Sequence, residues 1–354
     1  MQIDFHHTVT YVVARDAGFT HAEAEIIAYS AQYVDDATTE GTVYFSNGAV
    51  FNRISSAHKS LDLRNTVELA NHYVWMPFHF LPGNGGKAAG ENPDGSFIEK
   101  IICRPNSPVA QEMVRDAIIE RDHACALHRL GITMHVYADT WAHRGFAGVI
   151  HPVNEVENAI ETGNSKVFGK GLSGIIRGIL DDAIPPLGHG RATVFPDMPF
   201  LKWQYRNGRG ELIVRDNPKD FLEAADHMCM AMRRFIAGDP DKVTAGLCDS
   251  TRSQIAAKFA ALTTDDEAKR HKSWLDSLRK GEFTVCGKVD IGDYFARGSD
   301  SWKADALGTS HDLPVHQYPH GFLGKNWKLF HDAVHTHRCN VVYKILPRYG
   351  ICAA

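Results

Sequence analysis

The densest chemical word in the chain is His135-Val136-Tyr137-Ala138-Asp139-Thr140-Trp141-Ala142-His143. Residues four apart share one face of an α-helix, so His135, Asp139 and His143 project along a single edge, with His128 nearly on it. Imidazole and carboxylate at that spacing can chelate one hard or borderline cation without rearranging the backbone. Further candidates lie upstream. His6 and His7 stand at the entrance of a first helix, Asp35 and Asp36 close a second, and His79 sits in the apolar word Trp75-Met76-Pro77-Phe78-His79-Phe80. A histidine or carboxylate among Trp, Phe and Met must be paired or ligated to offset its desolvation. Each alone reads as a hydrogen-bonded core histidine or a helix-ending aspartate; together they point to a metal site built on helices.

Composition agrees with that chemistry and narrows the partners. Twenty of the 354 residues are histidine, the commonest metal ligand and the usual acid-base group near neutral pH. With 38 basic and 42 acidic residues the net charge is −4, so no basic stripe marks the chain for nucleic acid or an anionic membrane. No apolar run reaches membrane-spanning length, and the opening MQIDFHHTVTYVVARDAGF lacks a basic segment followed by a cleavable apolar core; the expected location is cytoplasmic. Seven widely spaced cysteines without a CxxC pair argue against a disulfide framework or a thiolate zinc site. A metal here belongs among histidines and carboxylates.

The elements that must hold these groups read as helices. Thr20-His21-Ala22-Glu23 has the form of a capping box, followed by helical periodicity to about residue 34. Thr8 to Ala17 reads as a helix closed by Gly18, and Ser107-Pro108 opens one expected to continue to about residue 143, bent at Gly131. Asn217-Pro218 begins another that Gly238 ends, and 241–262, 264–280 and 325–346 read as helices too. Strand patterns are few, with Glu211 to Val214 and Phe283 to Val289 the best. The long stretches 82–107 and 183–216 read as irregular loops of the kind that cover sites. The expected fold is all-α, a multi-helix single domain with a few short strands and long loops. Residues 1–240 form its metal-binding core, and 241–354 a helical extension packed on it.

The order of these words resembles the zinc-dependent phospholipase C and fungal single-strand nuclease superfamily. Its members open with a word like GHATVAYVA, similar to His6-His7-Thr8-Val9-Thr10-Tyr11-Val12-Val13-Ala14. They place an aspartate at the end of the next helix, similar to Asp35, and a histidine in a word like LHF, similar to Phe78-His79-Phe80. A helix of the form FLxHxxxD follows, similar to the segment from Gly131 to Asp139. The resemblance implies an all-helical fold with up to three zinc ions, and one ion on Asp35, His79, His135 and Asp139 as the core inference, with His6 nearby. Two or three ions are the alternative. The chain departs from that pattern in two places. It lacks the family's N-terminal tryptophan, whose amino group and carbonyl bind a zinc. His143 follows Asp139 by four residues where the family has six. The family's final His-x3-Glu/Asp pair matches His151 and Glu155 by spacing, with His189 and Asp197 competing.

Words like HxYADTWAHxGF and GHGxxxxxPDxP are similar to a cytosolic branch of the superfamily that includes the fungal cyclopenases of quinolone alkaloid biosynthesis. That resemblance implies a zinc-dependent lyase of secondary metabolism. It would contract the benzodiazepinedione ring of cyclopenin to viridicatin with release of methyl isocyanate. Its metal would polarise a carbonyl, His143, Asp36 or Glu155 would move the proton, and Trp75, Phe78, Tyr137 and Trp141 would border a small aromatic lactam. Two other readings stay open: a zinc phosphodiesterase of the phospholipase C or nuclease type, and a protein with a structural zinc. His331, His335 and His337, with His316 and His320 upstream, read as a solvated face of an amphipathic helix rather than a second metal site.

Overall fold

The chain enters through a π-helical turn, Asp4–Val9, that runs directly into α1 (Thr10–Ala17) and stops at Gly18. Gly18 has φ 113°, the left-handed conformation that ends a helix without a Cβ penalty. Thr20 then opens α2 (His21–Asp36) with the full capping box: the Glu23 amide donates to its hydroxyl and the Thr20 amide to the Glu23 carboxylate. This computed structural model describes residues 1–58, 68–163, 167 and 187–352. Pro185 and Pro186, part of the loop expected over 183–216, lie outside the described residues.

A hairpin of β1 (Gly41–Tyr44) and β2 (Val50–Arg53) precedes α3 (Glu68–Phe78) and the short α4 (Ile98–Ile101). Then come α5 (Pro108–Ile119), α6 (Ala126–Ala142) and β3 (Val156–Glu161). β4 (Lys202–Asn207) and β5 (Leu212–Asp216) lead into α7 (Asn217–Ala237), α8 (Asp249–Ala261) and α9 (Glu267–Lys280). The chain closes with α10 (Trp302–Leu307) and α11 (Asn326–Cys339). None of the described helices is long and apolar enough to cross a membrane.

The expectation of an all-α fold is corrected. The described residues are about 52% helical and about 10% strand, with an antiparallel pair β1-β2 and an antiparallel sheet of order β3-β4-β5. The hairpin carried a local signal, Asn47-Gly48, in which Gly48 takes φ 85° between the strands. Residues 283–289 are no strand: Phe283 is buried and stacks on Trp274, and the Cys286 and Gly287 amides turn back onto its carbonyl. The helix expected from 108 to 143 is two helices. The break lets Arg129 of α6 reach back to buried Asp116 of α5 and to Glu120 at its C-cap. Gly131 does not bend α6. A Cβ there would lie 2.4 Å from the Ile27 carbonyl oxygen and 2.6 Å from Ser30 Cβ, so its missing side chain is what lets α6 cross α2 so closely.

α6 lies at the centre of the packing, with Leu127 the one residue of its seventeen that is not buried. The main apolar cluster runs from Phe5 through Trp141 and Met228 to Trp274 and Ile345, so it spans both sides of residue 240. A second cluster joins the end of α2 and the hairpin to α11, and a third joins Phe80 and Phe146 to the three-stranded sheet. α6 enters the first cluster along most of its length and the second through Ile132, and its C-terminal half carries His135 and Asp139, with His143 at its C-cap.

Candidate metal centre

Four elements bring ligands to the C-terminal half of α6. The close α2–α6 crossing places the Ala31 carbonyl 2.8 Å from His135 Nδ1, and Asp35 lies one turn further along α2. The π-helical turn separates its two histidines. His6 stacks on His135 at 3.8 Å between ring centres, whereas His7 meets His271 and Tyr294. An inserted residue of this kind recurs at functional sites because it re-aims side chains within a continuous helix. Past Pro77, α3 ends and presents His79, and the segment 187–200 delivers His189 and Asp197.

The hydrogen bonds of the histidines define the chemistry. His135 uses Nδ1 on the Ala31 carbonyl, His79 uses Nε2 on the Ser56 carbonyl at 2.9 Å, and His143 uses Nδ1 on the His79 carbonyl at 2.7 Å. His189 uses Nδ1 on the Thr193 carbonyl at 2.8 Å. A carbonyl oxygen only accepts, so each of these nitrogens carries the proton, and in a neutral ring the other nitrogen is an acceptor. Those acceptors face one another and carboxylates: His135 Nε2 is 3.3 Å from His79 Nδ1 and 3.2 Å from Asp139 Oδ2. His143 Nε2 and His189 Nε2 lie 3.2 and 3.3 Å from Asp197. Buried lone pairs aimed at lone pairs are repulsive unless a cation sits among them, and histidines oriented by backbone carbonyls are the usual surroundings of a metal. Among the described residues, three groups have ligand atoms within 4.8 Å of one another: His6, Asp35 and His135; His79, His135 and Asp139; His143, His189 and Asp197. The residues present therefore fit a metal ion, and His135 belongs to two of the groups.

The electrostatics point the same way. Burial lowers the His135 and His189 pKa values to about 4, with Asp139 and Asp197 respectively pulling the other way, so both rings stay neutral and able to ligate near pH 7. Burial, opposed by the Met1 amine and reinforced by Asp139, Asp36 and Asp197, pushes the Asp35 carboxyl well above the usual range. Its side chain is 34% accessible, so solvent screens part of that effect. Burial resists ionisation of Asp139, but His143, the Met1 amine, His135 and His6 hold it well below the usual range. The Met1 nitrogen lies 2.7 Å from Asp139 Oδ1 and 3.2 Å from Asp197 Oδ1.

The structure brings together His6, Asp35, His79, His135 and Asp139, and joins His143 to His189 and Asp197. The other sequence candidates sit elsewhere. Asp36 Oδ2 accepts from Tyr294 at 2.8 Å and from Gln32 at 3.1 Å. Glu155 pairs with Arg191, His151 Nδ1 accepts the Val153 amide, and His128 Nε2 meets Asn326. Of the four aromatics expected at a substrate, Trp75 lies beside His79 at 5.2 Å between ring centres. Phe78 stacks on His337, and Tyr137 and Trp141 pack on each other and on His227.

Two residues that hold the site carried no local signal. Arg215, wholly buried on β5, donates to the Trp141 and Ala142 carbonyls at the end of α6, fixing the turn that bears His143. Asn217 donates to the Phe195 and Met198 carbonyls on either side of Asp197 and accepts from Trp203 Nε1. The nearest of these contacts, Asn217 with Trp203, spans 14 residues of chain and the farthest, Arg215 with Trp141, spans 74, beyond the reach of any short spacing rule.

Comparison with curated proteins and with solved structures finds no match. A family model matches residues 1–345, and the chain belongs to that family, described as a family of unknown function, DUF6765.

Proposed function

We propose that the protein is a divalent-metal-dependent hydrolase of phosphate esters, holding two or three ions, with zinc as the metal its histidines and carboxylates suit best. The observation that carries this reading is the clustering of three ligand groups around α6: two share His135, the third approaches them where His143 Nδ1 lies 3.6 Å from Asp139 Oδ2, and the Asp139 carboxylate also meets His6, His135 and the Met1 nitrogen. Adjacent divalent ions would supply charge for a phosphoryl group and acidify water near neutral pH. The chain's own residues do the rest. Backbone carbonyls hold four imidazoles in one tautomer, burial keeps Asp139 dry, and the Asp35, His189 and Asp197 side chains keep 34%, 19% and 12% of their surface accessible. That accessibility argues against a purely structural site, in which protein would fill every position.

A second reading is the single-zinc lyase acting on an aromatic lactam; Trp75 beside His79 is the observation in its favour. Metal counting by mass spectrometry on protein reconstituted with zinc, followed by assays on a nitrophenyl phosphodiester, single-stranded DNA and cyclopenin, tests both. Two or more ions per chain with phosphodiester turnover supports the hydrolase. One ion with quinolone formation supports the lyase, and a chain holding no metal overturns both.

A further inference from the structure

Asp35 is the most accessible carboxylate of the site, with Oδ1 3.8 Å from both His79 Nδ1 and His135 Nε2. Its Oδ2 turns the other way, toward Gln32 Nε2 at 3.5 Å. The same Gln32 amide donates to Asp36 Oδ2 at 3.1 Å, and Asp36 Oδ2 also accepts the Tyr294 hydroxyl at 2.8 Å. Tyr294 comes from the loop after α9, 258 residues along the chain from Asp36. Its ring is wedged against Tyr29 and His7, at 4.7 and 5.4 Å between ring centres. A wedged phenol cannot follow a carboxylate that moves, so the chain Tyr294–Asp36–Gln32 fixes the end of α2 and the amide that faces Asp35.

We propose that Tyr294 is a positioning residue for the metal site, setting the Asp35 carboxylate through Asp36 and Gln32. The inference rests on the metal reading above. Residues that orient ligands in this way typically govern about 10- to 100-fold in metal affinity. Tyr294→Phe removes one hydroxyl and keeps the ring contacts, so zinc affinity, measured in competition with a chromophoric chelator, falls by that order while the melting temperature of metal-free protein stays near wild type. Acting through Asp36 means that the double variant Tyr294→Phe/Asp36→Ala binds zinc no more weakly than Asp36→Ala alone. Additive losses, or wild-type affinity in Tyr294→Phe, overturn the inference and leave the metal reading standing. A wild-type chain that binds no zinc overturns both. If Tyr294→Phe does not fold, Gln32→Met interrupts the same link and is expected to show the same loss; wild-type affinity there overturns the inference as well.

Discussion

Asp139 is 1% exposed and meets His6 Nε2, His135 Nε2 and the Met1 nitrogen at 3.2, 3.2 and 2.7 Å. On the metal reading proposed above, a carboxylate placed between His6 and His135 in this way would serve more than one ion. Asp139→Asn, close in shape but uncharged, is therefore expected to lower the zinc content by more than one ion per chain, whereas His189→Ala removes one. Elemental analysis after gel filtration decides it, and wild-type stoichiometry in Asp139→Asn would falsify the shared role. At this scale the sequence was informative about helical spacing: His135, Asp139 and His143 lie on one edge because a helix puts them there. It left His6 against His7 and Asp35 against Asp36 open, because adjacent helical residues differ by about 100°, and a π-helical insertion and a distant tyrosine settle which way each points. Spacing matches Glu155 to a metal-binding pair with His151, and the lyase reading gives it a proton-moving role; in the fold that carboxylate pairs with Arg191.

Among elements, the α2–α6 crossing decides whether the ligands meet. Gly131 was legible as a glycine in a helix, which by local propensity costs about 1 kcal/mol against alanine and suggests a bend. Its reason is tertiary, a backbone of α2 too near for any Cβ. Gly131→Ala is expected to lose about 1–3 kcal/mol by overpacking and, in the same variant, zinc affinity, because the Ala31 carbonyl that fixes His135 belongs to the helix it pushes away. Urea unfolding and zinc competition read the two effects; a variant with wild-type values for both would mean that the helices part without cost. Capped helices such as α2, α5 and α7 were legible because their signals are local. β3 and β4 were not, since their pairing is set by partners across the sheet and their own residues alternate only weakly.

For the molecule as a whole, the last third of the chain grips the elements that carry the ligands. Arg270 of α9 pairs with buried Asp4 on the π-helical turn, and His337 of α11 donates from Nε2 to the Pro77 carbonyl, two residues before His79. The sequence read His331 and His337 as a solvated helix face, but both are buried, 3% and 1% exposed, with Phe78 stacked on His337. Burial, reinforced by Arg129 and opposed by the Pro77 hydrogen bond, lowers the His337 pKa to about 3, and burial does the same for His331. The unfolded chain protonates these rings near 6.5. Between those values the unfolded state binds more protons, so stability rises with pH; it is fully present above 6.5 and lost as pH falls toward 3. Each such ring contributes a slope of up to about 1.4 kcal/mol per pH unit in that window. His337→Gln keeps an N–H for the Pro77 carbonyl and cannot titrate. Metal-free protein unfolded in urea between pH 4 and 6.5 is expected to show a shallower slope in that variant, by about one proton, while the His331 share persists. Equal slopes in the two proteins would mean that His337 takes up its proton as readily folded as unfolded, and that α11 does not hold the end of α3 through a buried neutral imidazole.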